Sequence, residues 1–308
     1  MRLGHRLLHL ALRCGRALEP DFAWWLGGAL GHAFALLPMR DQRRCREHLA
    51  RAFPQRDRAW IARTACATFR HAGRMALWTL STLHVPARRL CRGIAVEGAV
   101  NLRATAQACR RGEGTVGFSG HFGNWELLAR VGGAVVPLTL IGRRLRDPEL
   151  DAIVAGMRSD AGSTRVVYQD EGAIPCLRQL REGRLLATLP DQDVPRLAGV
   201  FVPWFGILAY TPSGPAALAA KTGCPVQPTY LYRRAGRWVI HWGPRWLPPP
   251  GMEARAAAEH LTARVMAYEE ALVMRHPEQW VWWHKRWRTR PPEEQASGGE
   301  PASSAPSV

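Results

Sequence analysis

Lysine is almost absent from this 308-residue sequence: Lys221 and Lys285 are the only two, although the formal net charge is +17. Arginine therefore carries nearly all of the positive charge, and its guanidinium pairs with phosphates and carboxylates through parallel hydrogen bonds. Such a surplus favours an anionic partner, which is a nucleic acid, an anionic membrane or an acidic carrier protein. A codon bias would explain the choice of arginine over lysine, but it would not explain the net charge.

Cysteine pairs with metal-binding spacing are also missing. The seven cysteines are scattered and form no Cys-x-x-Cys, which excludes a disulfide framework and a zinc site and is typical of a reducing compartment. The zinc-finger, RNP-like and basic-heptad patterns of nucleic-acid-binding modules do not occur, so a nucleic-acid partner is supported by charge alone. The 13 tryptophans instead favour a membrane surface, where this residue is enriched.

The sequence lacks an uninterrupted apolar run of the roughly 20 residues that a membrane-spanning helix needs. Its most apolar run, residues 22–37, ends at Pro38 and contains His32, and residues 1–18 before it form a basic amphipathic pattern. We therefore expect an interfacial or shallowly inserted anchor. The alternatives are an ordinary core helix and a secretory signal, for which a clear small-residue cleavage site is missing.

Three regions follow from the pattern of apolar residues. Residues 1–83 are predicted to be a helical, membrane-associating region, in which Pro54 separates two helices and Asp57 caps the second. Residues 84–290 are predicted to form an α/β domain with a mostly parallel mixed sheet flanked by helices, because short apolar runs alternate with helical stretches from about residue 113. Residues 291–308 are expected to be disordered, being rich in Pro, Ser, Gly and Glu. The predicted strands are 115–119, 135–141, 165–168, 184–189, 200–205, 226–232 and 238–242, and the predicted helices begin at about 124 and cover 147–160, 171–182, 212–221 and 253–275.

The clearest candidate for chemistry lies where an apolar strand ends in a glycine-rich turn and a helix follows directly, between Gly117 and Leu128. His121 is placed at the carboxyl edge of a strand, where α/β sheets carry their sites. Glu126 follows within the first turns of the helix, so the two side chains are predicted to meet. A carboxylate beside an imidazole fixes its tautomer and stabilises the imidazolium, which makes His121 a candidate general base. Asn124 is predicted to cap the helix, with substrate contact as the alternative.

Further blocks occur in order along the chain. They are RCREHLARAFP (44–54), PDQD (190–193), GVFVPWFG (199–206), TPSG (211–214), TGCPVQP (222–228) and HPEQWVWWHKRW (276–287). Together with the His-x4-Glu segment, they resemble the late acyltransferases of lipid A biosynthesis, the bacterial lauroyl and myristoyl group. That group lies within the wider glycerolipid acyltransferase superfamily, which is defined by a His-x4-Asp/Glu motif.

The resemblance implies an O-acyltransferase that moves a fatty acyl chain from an acyl carrier protein or coenzyme A thioester to a hydroxyl of a membrane lipid. His121 would deprotonate the hydroxyl and Glu126 would orient and charge-balance His121, with no metal or redox cofactor implied. Arg158 occupies the place of a family arginine and would stabilise the oxyanion or bind a headgroup phosphate. Asp191, in the PDQD block, would position substrate or support the site. The expected location is the cytoplasmic face of the inner membrane.

One departure from the family pattern leaves the acceptor open. Where family members often carry Tyr/Ala-Arg-Pro-like residues, this chain reads GRRLR over 142–146. Arg143 and Arg144 would face a substrate phosphate, or they form a solvated charge run. A lipid A precursor or related glycolipid is the expected acceptor, with another lipid or a pigment as the alternative. A non-catalytic basic protein that binds membrane or carrier protein is a further alternative, although it would not need a base with its carboxylate.

Overall fold

The computed structural model describes residues 13–145, 147–158 and 163–293. Its helices are α1 (Pro20–Ala35), α2 (Arg40–Ala52), α3 (Arg58–Ser81), α4 (Ala87–Cys91), α5 (Ala99–Arg110), α6 (Trp125–Val135), α7 (Pro148–Arg158), α8 (Ala173–Arg181), α9 (Gly214–Thr222) and α10 (Ala254–Arg275). Its strands are β1 (Ile94–Glu97), β2 (Thr115–Phe118), β3 (Leu138–Gly142), β4 (Thr164–Tyr168), β5 (Leu185–Thr188), β6 (Gly199–Trp204), β7 (Ile207–Pro212), β8 (Val226–Arg234) and β9 (Arg237–Trp242). Most of the predicted amphipathic N-terminal segment, the end of the helix predicted over 147–160 and most of the predicted tail lie outside the described residues.

Seven strands form one sheet in the order β1-β9-β8-β2-β5-β3-β4. Only the β8–β9 pair is antiparallel, and every other neighbouring pair in this sheet is parallel. The predicted α/β class with a mostly parallel mixed sheet is therefore confirmed. Strand β2 lies between β5 and β8, and it runs in the same direction as both, so the carboxyl ends of these three strands meet at one edge.

Hydrophobic residues cover both faces of this sheet. Successive residues of a strand point to opposite faces, and Leu185 and Leu186 of β5 accordingly belong to two different buried clusters. Leu185 packs with Leu127 and Val131 of α6, whereas Leu186 packs with Leu261 of α10 and its neighbours. This two-sided burial explains why the strands read as short continuous apolar runs.

The strand β7 and three elements before residue 113, α4, β1 and α5, are absent from the sequence-based prediction. Strand β7 forms an antiparallel hairpin with β6, separate from the main sheet. The turn between them is Phe205–Gly206, with φ values of 52° and 74°. A two-residue turn with positive φ at both positions suits the right-handed twist of a hairpin.

The N-terminal helices pack directly against the α/β part of the protein. Helices α1 and α3 approach closely, because a Cβ added at Gly27 would collide with the backbone carbonyl of Gly73. Phe69 of α3 belongs to the same buried cluster as Phe122 and Trp280. As predicted, Asp57 caps α3, accepting a hydrogen bond from the Trp60 N–H at 2.6 Å.

No single helix in the described ranges combines the length and the apolar character needed to cross a membrane. Helices α1 and α2 satisfy that test only as a pair, and they are bent by 88° where they meet. The outer face of α1 nevertheless carries exposed apolar side chains, among them Phe22, Trp25 and Leu30.

Candidate active site

His121 lies in the turn that joins β2 to α6, at the sheet edge where the sequence places it. The turn requires glycine at position 123, because its φ is 62° and an added Cβ would collide with the backbone carbonyl of Leu231. Helix α6 then begins with Asn124, whose Oδ1 accepts a hydrogen bond from the Leu127 N–H at 2.9 Å.

Asn124 caps helix α6, which is one of the two roles predicted for it. Its side-chain amide donates to Thr79 Oγ1 at 3.0 Å, and the residue is fully buried. It does not line the cavity that holds His121. The expectation that Asn124 binds substrate is therefore corrected: both of its polar groups are used inside the fold.

Asp191 supplies the carboxylate beside the imidazole. Its Oδ1 lies 2.8 Å from His121 Nδ1, and its Oδ2 accepts hydrogen bonds from the His121 backbone N–H at 2.7 Å and from Trp280 Nε1 at 3.0 Å. Burial of Asp191 opposes its ionisation, but the charge and hydrogen bonds of His121 outweigh burial and lower the pKa of Asp191 to about 2. An ionised carboxylate only accepts hydrogen bonds, so Nδ1 of His121 carries a proton and Nε2 remains as the candidate base.

Glu126 pairs with Arg158 and not with His121. Arg158 Nε donates to Glu126 Oε2 at 2.9 Å and Nη2 donates to Oε1 at 2.7 Å, which is a bidentate ion pair. The hydrogen bonds that Arg158 donates to Glu126, acting against burial, raise the pKa of Arg158. The predicted His121–Glu126 pairing is thus corrected, because Glu126 at the start of α6 meets the last residue of α7, while the strand order brings Asp191 to His121.

Two further residues surround the imidazole. The Gln192 amide donates from Nε2 to His121 Nε2 at 2.9 Å and lies 3.4 Å from His284 Nε2. The ring centroids of His121 and His284 are 5.0 Å apart. Burial first, and then the nearby His121, lower the pKa of His284 to about 4, so this second imidazole is neutral at physiological pH. Both residues occur in blocks that carry the family resemblance, but no role was predicted for either one.

These groups open into a cavity of about 700 Å³, a volume typical of small-molecule sites. His121, Glu126 and Arg158, which are partly exposed, line it. Leu138, Leu185 and Trp242 also line it and are at most 3% exposed. The arrangement can therefore hold an apolar chain next to a base and a guanidinium.

The two arginines predicted to face a phosphate, Arg143 and Arg144, have different surroundings in the structure. Arg143 is exposed and lines the cavity. Arg144 does not line it; its guanidinium lies 2.8 Å from Glu171 Oε1 and 3.4 Å from Asp170 Oδ2, and it stacks 3.9 Å from the Tyr168 ring. Arg144 therefore faces acidic side chains and not the cavity in this structure, and its substrate role stays a prediction.

Two arginines that the sequence reasoning did not single out, Arg196 and Arg288, also line the cavity. In the described ranges, no group of three or more histidine, cysteine or carboxylate residues is arranged to hold a metal ion.

Comparison with known proteins places the chain in a family. The family model for bacterial lipid A biosynthesis acyltransferases matches residues 6–289. A lipid A biosynthesis palmitoleoyltransferase of Escherichia coli (strain K12) is 27% identical over 269 residues, which covers 87% of this chain and 85% of the relative. A lipid A biosynthesis lauroyltransferase of the same organism is 27% identical over 270 residues, covering 86% of this chain and 85% of the relative. A lipid A biosynthesis acyltransferase of Shigella flexneri is likewise 27% identical over 269 residues. The family resemblance noted in the sequence is confirmed: the chain is an acyltransferase and belongs to the bacterial lipid A biosynthesis acyltransferase family.

Proposed function

We propose that this enzyme transfers a fatty acyl chain from an acyl carrier protein or coenzyme A thioester to a hydroxyl group of a lipid A precursor. The observation that carries the proposal is His121, held by buried Asp191, in a cavity whose lining includes the buried apolar side chains of Leu138, Leu185 and Trp242. The relatives are lipid A acyltransferases by name, which supplies the acceptor class, and the apolar lining of the cavity suits an acyl chain. The reaction is proposed to take place at the cytoplasmic face of the inner membrane.

His121 is proposed to act as the general base. With Nδ1–H donating to Asp191, Nε2 takes the proton of the acceptor hydroxyl as its oxygen attacks the thioester carbonyl. The substrate hydroxyl replaces the Gln192 amide, which lies 2.9 Å from Nε2 in this structure. Ionised Asp191 then stabilises the imidazolium that forms.

Arg158 is proposed to stabilise the oxyanion of the tetrahedral intermediate. Two of its five N–H groups donate to Glu126, and three remain that can donate to the developing negative charge, as far as the described residues go. Glu126 is then the positioning residue for Arg158, and this replaces the role beside His121 expected from the sequence. When the intermediate collapses, the C–S bond breaks and the His121 imidazolium returns its proton to the thiolate.

The donor is proposed to be a thioester carried by an acidic protein or by a phosphorylated cofactor. Both carry negative charge, and the chain has a formal net charge of +17. Arg143 and Arg196 line the cavity and are exposed, so they are available to a phosphate of the donor or the acceptor. Arg288 also lines the cavity, but it contacts Asp193, with Nη2 3.7 Å from Oδ1. No cofactor beyond the acyl donor enters the proposed reaction.

The test is an acyl-transfer assay with the purified full-length enzyme. Acyl carrier protein and coenzyme A thioesters are each incubated with a lipid A precursor, and the acylated lipid is followed by mass spectrometry. His121→Ala should lower turnover by about 10²–10⁴-fold, because it removes a general base. Wild-type turnover in that variant would reject His121 as the base. Lipid analysis of a strain that lacks the enzyme would name the natural acceptor.

A further inference from the structure

Three arginines converge in a surface cavity away from the active site. Arg70 and Arg74 of α3 and Arg233 of β8 line a space of about 360 Å³ together with Trp24 and Glu278. This cavity shares no lining residue with the one that holds His121. Nothing in the proposed acyl transfer makes use of it.

The three guanidinium groups lack close anionic partners. Within the part of the chain that the structure describes, none of them forms an ion pair with a carboxylate, and Nε of Arg74 is buried without a hydrogen-bond partner. Arg233 donates from Nη2 to the Gly236 carbonyl at 2.8 Å and stacks 3.9 Å from the Trp24 ring. Trp24 also faces the Arg74 guanidinium, at 5.4 Å.

Like charges oppose each other in this cluster. Burial, followed by the charge of Arg70, lowers the pKa of Arg74, and burial followed by the charge of Arg74 lowers the pKa of Arg233. Asp21 acts on Arg233 in the opposite sense, and Glu278 lines the same cavity, but together they do not balance three positive charges. An anion bound between the arginines would remove this repulsion and use their unpaired N–H groups.

An exposed apolar surface adjoins the cluster. A second depression, lined by Arg70, Arg74 and residues of α1 that include Trp25, extends the arginine site toward that helix. Phe22 and Trp25 of α1 are 50% and 64% exposed, and their rings stack with centroids 5.9 Å apart. Leu30, farther along α1, is 55% exposed. Exposed aromatic and aliphatic side chains next to arginines are typical of a surface that enters the membrane interface.

We propose that Arg70, Arg74 and Arg233 bind the phosphate of an anionic membrane lipid, whose acyl chains lie along the exposed apolar face of α1. The guanidinium groups supply bidentate donors for phosphate oxygens, and the adjoining aromatic face accounts for a lipid as the source of that phosphate. The site would orient the enzyme on the bilayer through one specific contact in addition to its overall positive charge.

The experiment measures vesicle binding by the full-length protein with no acyl donor or acceptor present, so its outcome does not depend on catalysis. Vesicles of phosphatidylcholine are compared with vesicles that also contain phosphatidylglycerol. The test variant is Arg70→Gln/Arg74→Gln. The matched control, Arg178→Gln/Arg255→Gln, removes the same charge from exposed positions on α8 and α10.

The test variant should bind the phosphatidylglycerol vesicles roughly 10- to 30-fold more weakly than the wild type, because each arginine near an anionic surface contributes about 1 kcal/mol. The control variant should stay close to the wild type, and neither should change binding to pure phosphatidylcholine. Phe22→Ser/Trp25→Ser should weaken binding to both kinds of vesicle. Arg233→Gln, made separately because Arg233 packs on Trp24, should weaken binding to the phosphatidylglycerol vesicles by about fivefold, with an unchanged circular dichroism spectrum.

An equal loss in the test and control variants would overturn the proposal, since bulk charge would then explain binding. A second overturning result concerns free phosphate. If inorganic phosphate at matched ionic strength raises the Tm of the wild type but not of Arg70→Gln/Arg74→Gln, while vesicle binding is the same for both, the cluster is a site for the free ion and not for a lipid.

Discussion

Replacing Asp191 with asparagine tests the His121–Asp191 pairing with little change in shape. In the wild type, Oδ2 of Asp191 accepts two hydrogen bonds, and Oδ1 faces His121 Nδ1. The amide oxygen of asparagine can take the place of Oδ2 and keep both bonds, including the one from Trp280. Its NH₂ group must then face Nδ1 of His121, which has to accept a hydrogen bond. The proton therefore moves to Nε2, and the nitrogen that faces the substrate is no longer a base.

The expected loss is large in activity and small in stability. A catalytic histidine held in the wrong tautomer costs on the order of 10⁴-fold in kcat, or about 5 kcal/mol of transition-state stabilisation. The pKa of Asp191 is lowered from 3.8 to about 2 in the folded protein. Its ionised form therefore stabilises the fold by roughly 2 kcal/mol, fully present above pH ~4 and lost as the pH falls toward 2.

The assay compares Asp191→Asn with Glu126→Gln in single turnovers with a saturating acyl donor. Asp191→Asn should lower kcat by about 10³–10⁴-fold at neutral pH, while its Tm falls by only a few degrees. Glu126→Gln should keep the tautomer of His121, and its effect should come through Arg158. If Asp191→Asn retains activity within about tenfold of the wild type while Glu126→Gln loses 10²-fold or more, Glu126 is the functional partner of His121 and our assignment fails.

Three further predictions follow from the same structure. Arg158→Lys cannot form the bidentate pair with Glu126 and should lower kcat by about 10²–10³-fold; an unchanged kcat would limit Arg158 to a structural role. Gly132 lines the cavity and has room for a side chain beside Leu138; Gly132→Val should lower kcat/KM for long acyl donors more than for short ones, and an equal loss for both would place the acyl chain elsewhere. Burial lowers the pKa of His48, His71 and His284 from 6.5 to about 4. In the unfolded chain these histidines bind protons at a higher pH than in the folded protein. The free energy of unfolding should therefore drop between pH 6.5 and 4, by up to about 1.4 kcal/mol per pH unit for each histidine. Urea unfolding at several pH values would check this, and a His71→Gln variant with an undiminished pH slope would contradict it.

Much of the fold follows from local patterns in the sequence. The strands of the main sheet from residue 113 onward and their following helices are recognisable because each buries an apolar run and ends at a turn or cap, as at Asn124. Strand β7 is not predicted from the sequence because it pairs with β6 outside the main sheet, and that pairing depends on the Phe205–Gly206 turn. Strand β1 is only four residues long and half exposed, so it carries little apolar signal.

By itself, the sequence determined the fold class, the family and the position of His121 at the end of a strand, because those features are encoded by neighbours along the chain. Only the tertiary structure decided which carboxylate serves His121. Strand β5 lies beside β2 and parallel to it, so the residues that follow both strands meet at one sheet edge, and Asp191 reaches His121 from 70 positions away. Glu126 is close to His121 in sequence, yet helix α6 directs it to Arg158. Strand order and helix packing are not visible in sequence spacing, and they set the partners of both residues.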